Sequence, residues 1–142
     1  LAALSPKEFN EVKYVLSGVV SKRAEHVVME CARVKEAVAA LKAGDLVELG
    51  RLLNESHYSL RDLYEVTGRE LDTLSALARK ETGCLGSRMI GAGFGGCTIS
   101  IVKKSAVEGF IRRVGKAYFD AIGYRASFYE TSIEDGITVQ KL

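Results

Sequence analysis

The fold of this chain is decided by Gly86-Ser87-Arg88-Met89-Ile90-Gly91-Ala92-Gly93-Phe94-Gly95-Gly96-Cys97-Thr98-Ile99-Ser100-Ile101-Val102. Five of the first eleven residues in this stretch are glycines, and apolar, strand-like segments lie on both sides of them. Glycine reaches positive φ without a Cβ penalty and lets another group approach the main chain closely. An ordinary reverse turn needs only one or two glycines. The run therefore predicts a connection between strands in which main chain, rather than side chains, faces something.

Within this stretch, Gly91 to Gly96 match the pattern G-x-G-x-x-G of dinucleotide-binding proteins. That pattern requires a helix directly after the glycines, so that the helix N-terminus meets the pyrophosphate. A strand-forming segment follows instead, and the acidic residue expected further on, Glu108, is accounted for as a helix-capping residue. A Walker A loop is excluded because no Gly-Lys-Ser/Thr follows, and a protein-kinase loop because the D-F-G and catalytic-loop motifs are missing. Two interpretations stay open: a strand connection without a ligand, and an anion-binding concavity of backbone N–H groups.

The composition is that of one ordinary globular domain spanning residues 1–142. Hydrophobic residues make up 47% of the chain and charged residues 27%, which is enough for a hydrophobic core. A net charge of +2 does not favour nucleic-acid or membrane-surface binding, and no apolar run approaches the roughly 20 residues of a membrane span. The chain begins Leu-Ala-Ala-Leu-Ser-Pro, without an initiator methionine or a signal peptide. We therefore expect a soluble, cytoplasmic domain that is a fragment of a longer protein.

The three cysteines, Cys31, Cys84 and Cys97, form no C-x-x-C spacing. An odd number of cysteines without such spacing favours reduced thiols over a disulfide framework or a zinc site. Free cysteines commonly behave as small buried hydrophobic residues. We expect these three to be buried thiols.

Helical patterns fill residues 5–82, and strand patterns with a single helix fill residues 84–142. This order predicts the α+β class, with helices packed on one face of a mainly antiparallel sheet. Periodicity and capping residues predict helices over residues 5–18, 21–43, 45–64, 67–83 and 105–123. β-Branched runs and turn residues predict strands over residues 88–90, 97–102, 126–131 and 137–140, the last two joined by Glu134-Asp135-Gly136.

The helix boundaries depend on capping residues. Ser5 with Glu8, Asp45 with Glu48, Thr67 with Glu70 and Ser105 with Glu108 have the spacing of capping boxes, and the glycines expected to end helices are Gly18, Gly44, Gly83 and Gly123. The second helix carries apolar residues at three- and four-residue spacing, which predicts one buried stripe. Its members are Ala24, Val27, Val28, Cys31, Val34, Val38 and Leu41.

Few side chains indicate chemistry of their own. His26 and His57 fall within helices, and neither has a cysteine or carboxylate placed as in a catalytic triad, so both are interpreted as structural. The charged residues of the helical half are interpreted as solvated charges or intrahelical ion pairs. They include Arg23, Glu30, Arg33, Asp62, Glu65 and Asp72. No carboxylate pair or metal-ligand cluster stands out, so we expect neither a catalytic residue nor a metal site in this chain.

The glycine run Gly86-Ser-Arg-Met-Ile-Gly-Ala-Gly-Phe-Gly-Gly-Cys97 resembles the third conserved motif of the GHMP small-molecule kinases, in the form typical of galactokinases. Further segments resemble the same subfamily in the same order: Arg23-Ala-Glu-His-Val-Val-Met-Glu30, Ser56-His57-x-Ser59-Leu60, Asp62-Leu-Tyr-Glu-Val-Thr67 with Glu70-Leu71-Asp72, and Phe128-Tyr129 with Asp135-Gly136. The chain departs from the family pattern at Gly68-Arg69, where the family often has Cys-Pro, and at Ile90, where it often has Thr.

The resemblance implies the C-terminal domain of a two-domain galactokinase, with helices packed on a ferredoxin-like antiparallel sheet. Such enzymes transfer the γ-phosphoryl group of ATP, bound with Mg²⁺, to the anomeric hydroxyl of galactose in the cleft between the domains. The sugar-binding motif, the phosphate loop and the catalytic Asp and Arg belong to the N-terminal domain, which is absent here, so the chain alone is expected to be inactive. The resemblance also implies a phosphate- and substrate-facing role for Gly91, Ala92, Gly93, Phe94, Gly95 and Gly96. Catalysis by such a loop is electrostatic, through fixed N–H dipoles near the transferring phosphate.

Two other functions stay open within this resemblance. One is a GHMP sugar kinase that acts on N-acetylgalactosamine or arabinose, because the choice of sugar is expected to depend mostly on residues outside this chain. The other is a non-catalytic, sugar-sensing relative that keeps the fold. In each case the face toward the N-terminal domain is expected to be apolar, which favours self-association of the isolated chain.

Overall fold

The computed structural model describes residues 1–132. Five α-helices and two strands follow one another along this part of the chain: α1 (Pro6–Val12), α2 (Gly18–Ala43), α3 (Leu46–Ser59), α4 (Arg69–Lys80), β1 (Cys84–Met89), β2 (Thr98–Val102) and α5 (Val107–Ile122). Single turns of 3₁₀-helix, Lys13–Val15 and Lys104–Ala106, precede α2 and α5, and a π-helical turn, Leu60–Tyr64, extends α3. The α+β class and the antiparallel sheet are confirmed.

Helix α1 begins at the predicted capping box, in which Ser5 Oγ accepts the Glu8 N–H and the Glu8 carboxylate accepts the Ser5 N–H. The prediction that this helix continues to Gly18 is wrong. The chain leaves the helix after Val12, and Gly18 instead opens α2 with a φ of 50°. A glycine with positive φ can precede a helix as well as follow one, so its presence does not by itself identify a helix end.

Helices α2 and α3 are joined by the tight junction that the sequence predicts. Gly44 ends α2 in the left-handed conformation, with a φ of 70°. The Asp45 carboxylate then accepts the Glu48 N–H at 2.9 Å and caps α3. The chain therefore reverses within two residues, which makes α2 and α3 neighbours.

The apolar stripe predicted for α2 is buried mainly in its first half. Ala24 and Val28 pack against Phe9 of α1 and are buried. Three later members are about half exposed: Val34 at 57%, Val38 at 46% and Leu41 at 52%. The difference follows from the length of α1, which is only seven residues long and covers only the first turns of this stripe.

Strands β1 and β2 pair antiparallel on either side of the glycine run, with Met89 opposite Thr98 and Ser87 opposite Ser100. β1 is longer than predicted, and β2 agrees with its prediction to within one residue. The strand predicted over residues 126–131 is wrong, because these residues lie in neither a helix nor a strand. Phe128 from this segment packs edge-on against Phe110 of α5, so its apolar pattern reflects contact with a helix rather than strand pairing. The strand predicted over residues 137–140 and its turn lie outside the described residues.

Helices α4 and α5 pack together around Ala78, Phe110 and Val114, and Cys84 and Val102 connect this cluster to the two strands. The hydrophobic contact between the helices and the sheet is therefore continuous from α4 to α5.

Two predicted N-terminal helix caps are not formed, and the prediction that Gly83 ends α4 is wrong, because the helix ends at Lys80 with Glu81 as its C-cap. The residue before α4 is Gly68, with a φ of 110°, and Thr67 is buried without capping the helix. Ser105 lies inside the 3₁₀ turn that precedes α5, so it is one residue too early to cap that helix. In both places the surrounding fold overrides a local spacing that is otherwise favourable.

Helix α3 approaches β1 at a point where both elements carry glycine. A Cβ atom at Gly50 would overlap the Leu85 carbonyl group, and a Cβ atom at Gly86 would overlap the main chain of Gly50. The two elements are therefore in main-chain contact, as glycine permits. This approach brings the end of α3 beside the end of β1 that leads into the glycine run, where His57 reaches Met89.

Candidate functional site

Residues 91–96, here called the glycine loop, connect β1 to β2. A hydrogen bond of 2.9 Å from the Ile90 N–H to the Cys97 carbonyl oxygen closes the base of the loop. Gly91, Gly93 and Gly95 have φ values of 78°, 88° and 109°, in the region that favours glycine. All the site residues predicted from the sequence lie in this loop: Gly91, Ala92, Gly93, Phe94, Gly95 and Gly96.

The glycine loop presents backbone N–H groups at the surface. Among the described residues, no hydrogen-bond partner is found for the N–H groups of Gly91, Ala92, Gly93 and Gly95. The one large side chain of the loop, Phe94, is 78% exposed. Unpaired N–H groups concentrated in a short exposed turn form the kind of concavity that binds anions such as phosphate oxygens. The second of the two interpretations, an anion-binding loop, stays a prediction.

The main chain of Val66 contacts the glycine loop and fixes its position. The Phe94 N–H donates to the Val66 carbonyl oxygen at 2.9 Å. Gly93 lies so close to the same oxygen that a Cβ atom at this position would overlap it. Within the loop, the Gly96 N–H donates to the Gly93 carbonyl oxygen at 3.3 Å. Gly93 is therefore where the main chain of the loop packs directly against the main chain of Val66.

Both sides of this contact carry unusual backbone. Glu65 and Phe94 are the non-glycine residues with positive φ in the described part of the chain, at 59° and 57°. Phe94 is one end of the hydrogen bond to Val66, and Glu65 is the neighbour of the other end. Such conformations are retained only where the surroundings enforce them, and they concentrate at functional sites.

Glu65 ends the π-helical turn Leu60–Tyr64 in the left-handed conformation, with its N–H donating to the Leu60 carbonyl oxygen, and Arg23 from α2 contacts the same segment. The Arg23 guanidinium donates to the Leu63 carbonyl oxygen and to the Glu65 carboxylate. Hydrogen bonding from Arg23 holds the pKa of the Glu65 carboxyl below its usual value, and the Lys22 ammonium at 3.6 Å adds to the effect. Arg23 thus ties the π-helical turn Leu60–Tyr64 to α2 immediately before Val66.

His57, which the sequence indicates only to be structural, lies in the interior with its side chain fully buried. Its Nδ1 accepts the Met89 N–H at 3.2 Å, and its Nε2 lies 3.1 Å from Asp72 Oδ1. Burial, followed by the nearby Arg79 charge, lowers the pKa of His57, while Asp72 acts in the opposite direction. The sequence does not reveal this connection, because its three members come from α3, α4 and β1.

Glu30 is the centre of a second polar cluster that differs from the prediction of solvated charges. Glu30 forms the expected intrahelical pair with Arg33, but it also accepts hydrogen bonds from Ser56 Oγ at 2.5 Å and Arg88 Nη1 at 3.2 Å. The Glu30 and Arg33 side chains are only 22% and 15% exposed. This cluster links α2, α3 and β1 below the glycine loop.

His26 is also buried and structural in its contacts. Its Nδ1 lies 2.8 Å from Ser59 Oγ, and its ring stacks on Tyr64 with a centroid separation of 4.6 Å. Burial lowers the pKa of His26. The ring therefore supports the π-helical turn from the side of α2.

The cysteines are free thiols, but their burial was overestimated: Cys31 and Cys84 are half-buried and Cys97 is exposed. The exposed Cys97 stands at the base of the glycine loop, where its carbonyl oxygen accepts the Ile90 N–H. Within residues 1–132, no three His, Cys, Asp or Glu side chains are grouped so that they could hold a metal ion. The same residues include no helix with the length and hydropathy needed to cross a membrane.

Comparison with known proteins places these features in a family. The sequence model of the family described as GHMP kinases C terminal matches residues 37–121. The galactokinases of Clostridium beijerinckii and Lactobacillus helveticus are 52% and 53% identical to this chain over 137 residues, which is 96% of the chain and 35% of each relative. The chain therefore spans about a third of the length of these relatives.

The fold is similar to a solved structure as well. The crystal structure of Lactococcus lactis galactokinase complexed with galactose matches with a TM-score of 0.88 and 49% identity, over 90% of this chain and 33% of that one. The sequence match and the shared fold agree with each other. The chain belongs to the GHMP kinase family and corresponds to the C-terminal part of its members.

Proposed function

We propose that this chain is the C-terminal domain of a cytoplasmic galactokinase, which transfers the γ-phosphoryl group of ATP to the anomeric hydroxyl of galactose. The observation that carries the proposal is the set of unpaired N–H groups at Gly91, Ala92, Gly93 and Gly95. The choice of sugar is supported by relatives named galactokinase at about half identity over nearly the whole chain. The complex of the Lactococcus lactis protein with galactose supports the same choice.

In this proposal the glycine loop faces the triphosphate of ATP. Its N–H dipoles are fixed in place before the reaction by the contact of Gly93 and Phe94 with Val66. Donors that are already oriented stabilise the charge of a transferring phosphoryl group without reorganisation during the reaction. The contribution of this chain is therefore electrostatic and positional, as is typical of phosphoryl transfer.

The loop supplies hydrogen-bond donors for phosphate oxygens, whereas the described residues supply no cluster of metal ligands. Backbone N–H groups donate to phosphate oxygens, and no side chain of the loop is acidic. The described residues contain no group of three metal-ligating side chains. When bound, ATP with Mg²⁺ supplies the phosphoryl group and offsets its negative charge. We assign the protein ligands of the metal to the N-terminal domain.

The chemistry also requires groups from the N-terminal domain. The anomeric oxygen of galactose forms a bond to the γ-phosphorus, the bond to the bridging oxygen of ADP breaks, and the hydroxyl proton passes to a base. We assign that base and the sugar contacts to the N-terminal domain, because the loop itself bears no titratable side chain. The isolated 142-residue chain is then inactive.

A phosphoryl-transfer assay with two proteins and three sugars tests the proposal. The full-length protein and the isolated chain are each incubated with ATP, Mg²⁺ and galactose, N-acetylgalactosamine or arabinose. We expect sugar 1-phosphate only from the full-length protein, with the highest kcat/KM for galactose. Preference for another of these sugars would reassign the substrate within the family, and turnover by the isolated chain would refute the division of roles. Binding of galactose without turnover in the full-length protein would identify a sugar sensor.

A further inference from the structure

Within residues 1–132, the groups at the outer edge of β1 are hydrogen-bonded by side chains, and no third strand pairs with it. The Ser87 N–H donates to Asn54 Oδ1 at 2.9 Å, and the Met89 N–H donates to His57 Nδ1 at 3.2 Å. These acceptors are three residues apart on α3, and the donors are two residues apart on β1, so the helix runs along the strand. From α4, Ser75 Oγ donates to the Ser87 carbonyl oxygen at 2.9 Å. Side-chain atoms of Asn54, His57 and Ser75 thereby form hydrogen bonds with the main-chain groups of Ser87 and Met89 at this edge.

The hydrogen bonds of His57 determine which ring nitrogen carries the proton. Since Nδ1 accepts from the Met89 amide, the hydrogen of the neutral ring lies on Nε2 and is donated to Asp72 Oδ1. The ring is fully buried, and Asp72 stands in the first turn of α4. The position of the Met89 amide is thus coupled through one ring to the start of a second helix.

Met89 is the last residue of β1 and lies two residues before Gly91, the first glycine of the loop. The glycine loop is therefore held at two points by one continuous segment of chain. His57 holds the strand end that enters the loop, and Val66, beyond the π-helical turn Leu60–Tyr64, holds Phe94 inside it. A displacement of β1 relative to α3 would move the unpaired N–H groups with it.

We propose that His57 is a positioning residue for phosphoryl transfer. By accepting the Met89 N–H, it fixes the position of the glycine loop relative to Val66. The proposal rests on the phosphoryl-transfer function proposed above and goes beyond it by assigning a role to a side chain that does not touch the substrates. The alternative is that His57 only fills the core. The two are separable because the ring makes two different hydrogen bonds, and each can be preserved without the other.

Substitutions of His57 in the full-length protein separate these roles. In His57→Asn, the side-chain oxygen takes the place of Nδ1 and keeps the acceptor for Met89, while contact with Asp72 is lost. In His57→Gln, the longer side chain reaches toward Asp72 and loses the acceptor for Met89. We expect His57→Asn to keep kcat within about 3-fold of the unsubstituted enzyme and His57→Gln to lower kcat by about 10- to 100-fold, since small misplacements of reacting groups have effects of this size. KM for ATP should change by no more than about 3-fold in both, which assigns the loss to the transition state.

Val114 on α5 provides the control. It is buried against Ala78 and Phe110, in the cluster that meets β1 at Cys84, the end away from the glycine loop. Val114→Ala should lower the melting temperature but leave kcat within about 3-fold of the unsubstituted enzyme, because it alters neither the contact of His57 with Met89 nor that of Val66 with the loop. Equal kcat values for His57→Asn and His57→Gln would overturn the proposal. If His57→Gln does not fold, His57→Leu, which also lacks an acceptor for the Met89 N–H, replaces it, and Asp72→Ala reports the loss of the second hydrogen bond alone. A kcat at least about 10-fold lower in His57→Leu than in Asp72→Ala supports the proposal, and equal kcat values overturn it.

Hydrogen exchange gives a readout that does not depend on catalysis. Amide exchange at Met89 and Phe94 should accelerate by at least about 10-fold in His57→Gln relative to His57→Asn, while exchange at the helix end near Gly123 stays equal. If the unsubstituted protein phosphorylates no sugar, the proposed function fails. The exchange result then still decides whether His57 holds the loop, and equal exchange in the two variants would overturn that role.

Discussion

At the scale of single residues, one main-chain hydrogen bond joins the two places where non-glycine residues adopt left-handed backbone. The left-handed conformation of Glu65 and of Phe94 costs about 1–2 kcal/mol of folding free energy at each residue. Arg23 holds the first of them and Val66 the second. Strain on both sides of one contact indicates that the position of the loop relative to Val66 is fixed at a cost in stability, as is usual where function depends on position.

Gly93→Ala tests this contact. The new methyl group would overlap the Val66 carbonyl oxygen, and the residue would also keep an unfavourable positive φ. The loop must then move, and we expect kcat of the full-length enzyme to fall by about 100-fold. Steady-state kinetics with galactose and ATP measures the effect.

Gly91→Ala is the matched control for Gly93→Ala. Gly91 has a similar φ of 78°, but a Cβ atom there would meet nothing within 4 Å. The substitution therefore introduces the backbone strain, about 1–2 kcal/mol, without the overlap. Equal losses of kcat in the two variants would show that strain, rather than contact with Val66, accounts for the effect.

The two buried histidines make stability depend on pH. Burial holds the pKa of both His26 and His57 below the ordinary value of 6.5, opposed by Glu30 for the first and by Asp72 for the second. The unfolded chain therefore binds protons at a higher pH than the folded chain does. The free energy of unfolding should fall as the pH is lowered through about 6.5, with a slope of at most about 1.4 kcal/mol per pH unit for each histidine.

Urea titrations of the chain between pH 7.5 and 5.5 measure this dependence, and His57→Asn should reduce the slope. The carboxylates whose pKa is lowered by hydrogen bonds, such as Asp62 and Glu65, titrate below this window and do not contribute. A slope that is unchanged in His57→Asn would show that His57 is not responsible.

The residue scale also shows what the sequence can predict about the site. The density of glycines between Gly91 and Gly96 indicates main chain facing outward, and the structure agrees. The partner of the loop, Val66, could not be predicted, because the contact is made by carbonyl and amide groups that every residue possesses. His57 was interpreted as structural for a comparable reason: its role depends on Met89, which approaches only in the folded chain.

At the scale of elements, the position of the loop depends on how closely α3 approaches β1. Gly50 on the helix and Gly86 on the strand leave no space for a Cβ atom at either position. This approach allows Asn54 and His57 to reach the N–H groups of the strand. The edge of β1 is thereby protected from pairing with another chain, as exposed strand edges require.

Gly50→Ala tests this packing, because the close approach and helix propensity predict opposite changes in the free energy of unfolding. Helix propensity alone predicts that alanine stabilises α3 by about 1 kcal/mol. The overlap with Leu85 main chain predicts the opposite, because neither element can yield without breaking its hydrogen bonds. We expect the overlap to prevail and the free energy of unfolding to fall by about 2–3 kcal/mol in urea titrations.

Gly109→Ala in α5 serves as the control for Gly50→Ala. There the nearest atom is the mobile guanidinium of Arg113, which can move aside. This variant should be neutral or more stable by up to about 1 kcal/mol. Stabilisation in both variants would mean that α3 and β1 are not in main-chain contact.

Element boundaries were predictable where the determinant is local. The caps at Ser5 and Asp45 depend on residues within one turn, and both form as expected. The predictions at Thr67 and Ser105 are wrong because tertiary packing sets the preceding backbone. The segment around Phe128 has the pattern of a strand, but contact with Phe110 accounts for its apolar residue.

At the scale of the whole molecule, we propose that this chain contributes one side of a site. It matches about a third of the length of its galactokinase relatives, and its unpaired N–H groups point to a ligand that the described residues do not complete. Fold and family could be predicted from the sequence, because the glycine motif and each helical segment consist of consecutive residues whose pattern can be recognised without the structure. Sugar choice and the groups that carry out chemistry could not, because we expect them to depend on residues outside this chain.

The central claim is that the backbone N–H groups of the glycine loop face the phosphates of ATP. Amide NMR spectra of the full-length protein, labelled with ¹⁵N-glycine and recorded with and without a non-hydrolysable ATP analogue, Mg²⁺ and galactose, test it most directly. Substitution of single glycines assigns the signals. We predict the largest shifts at Gly91, Gly93 and Gly95, with little change at Gly44 and Gly123, which end distant helices. Unchanged loop signals under saturating analogue would contradict the account.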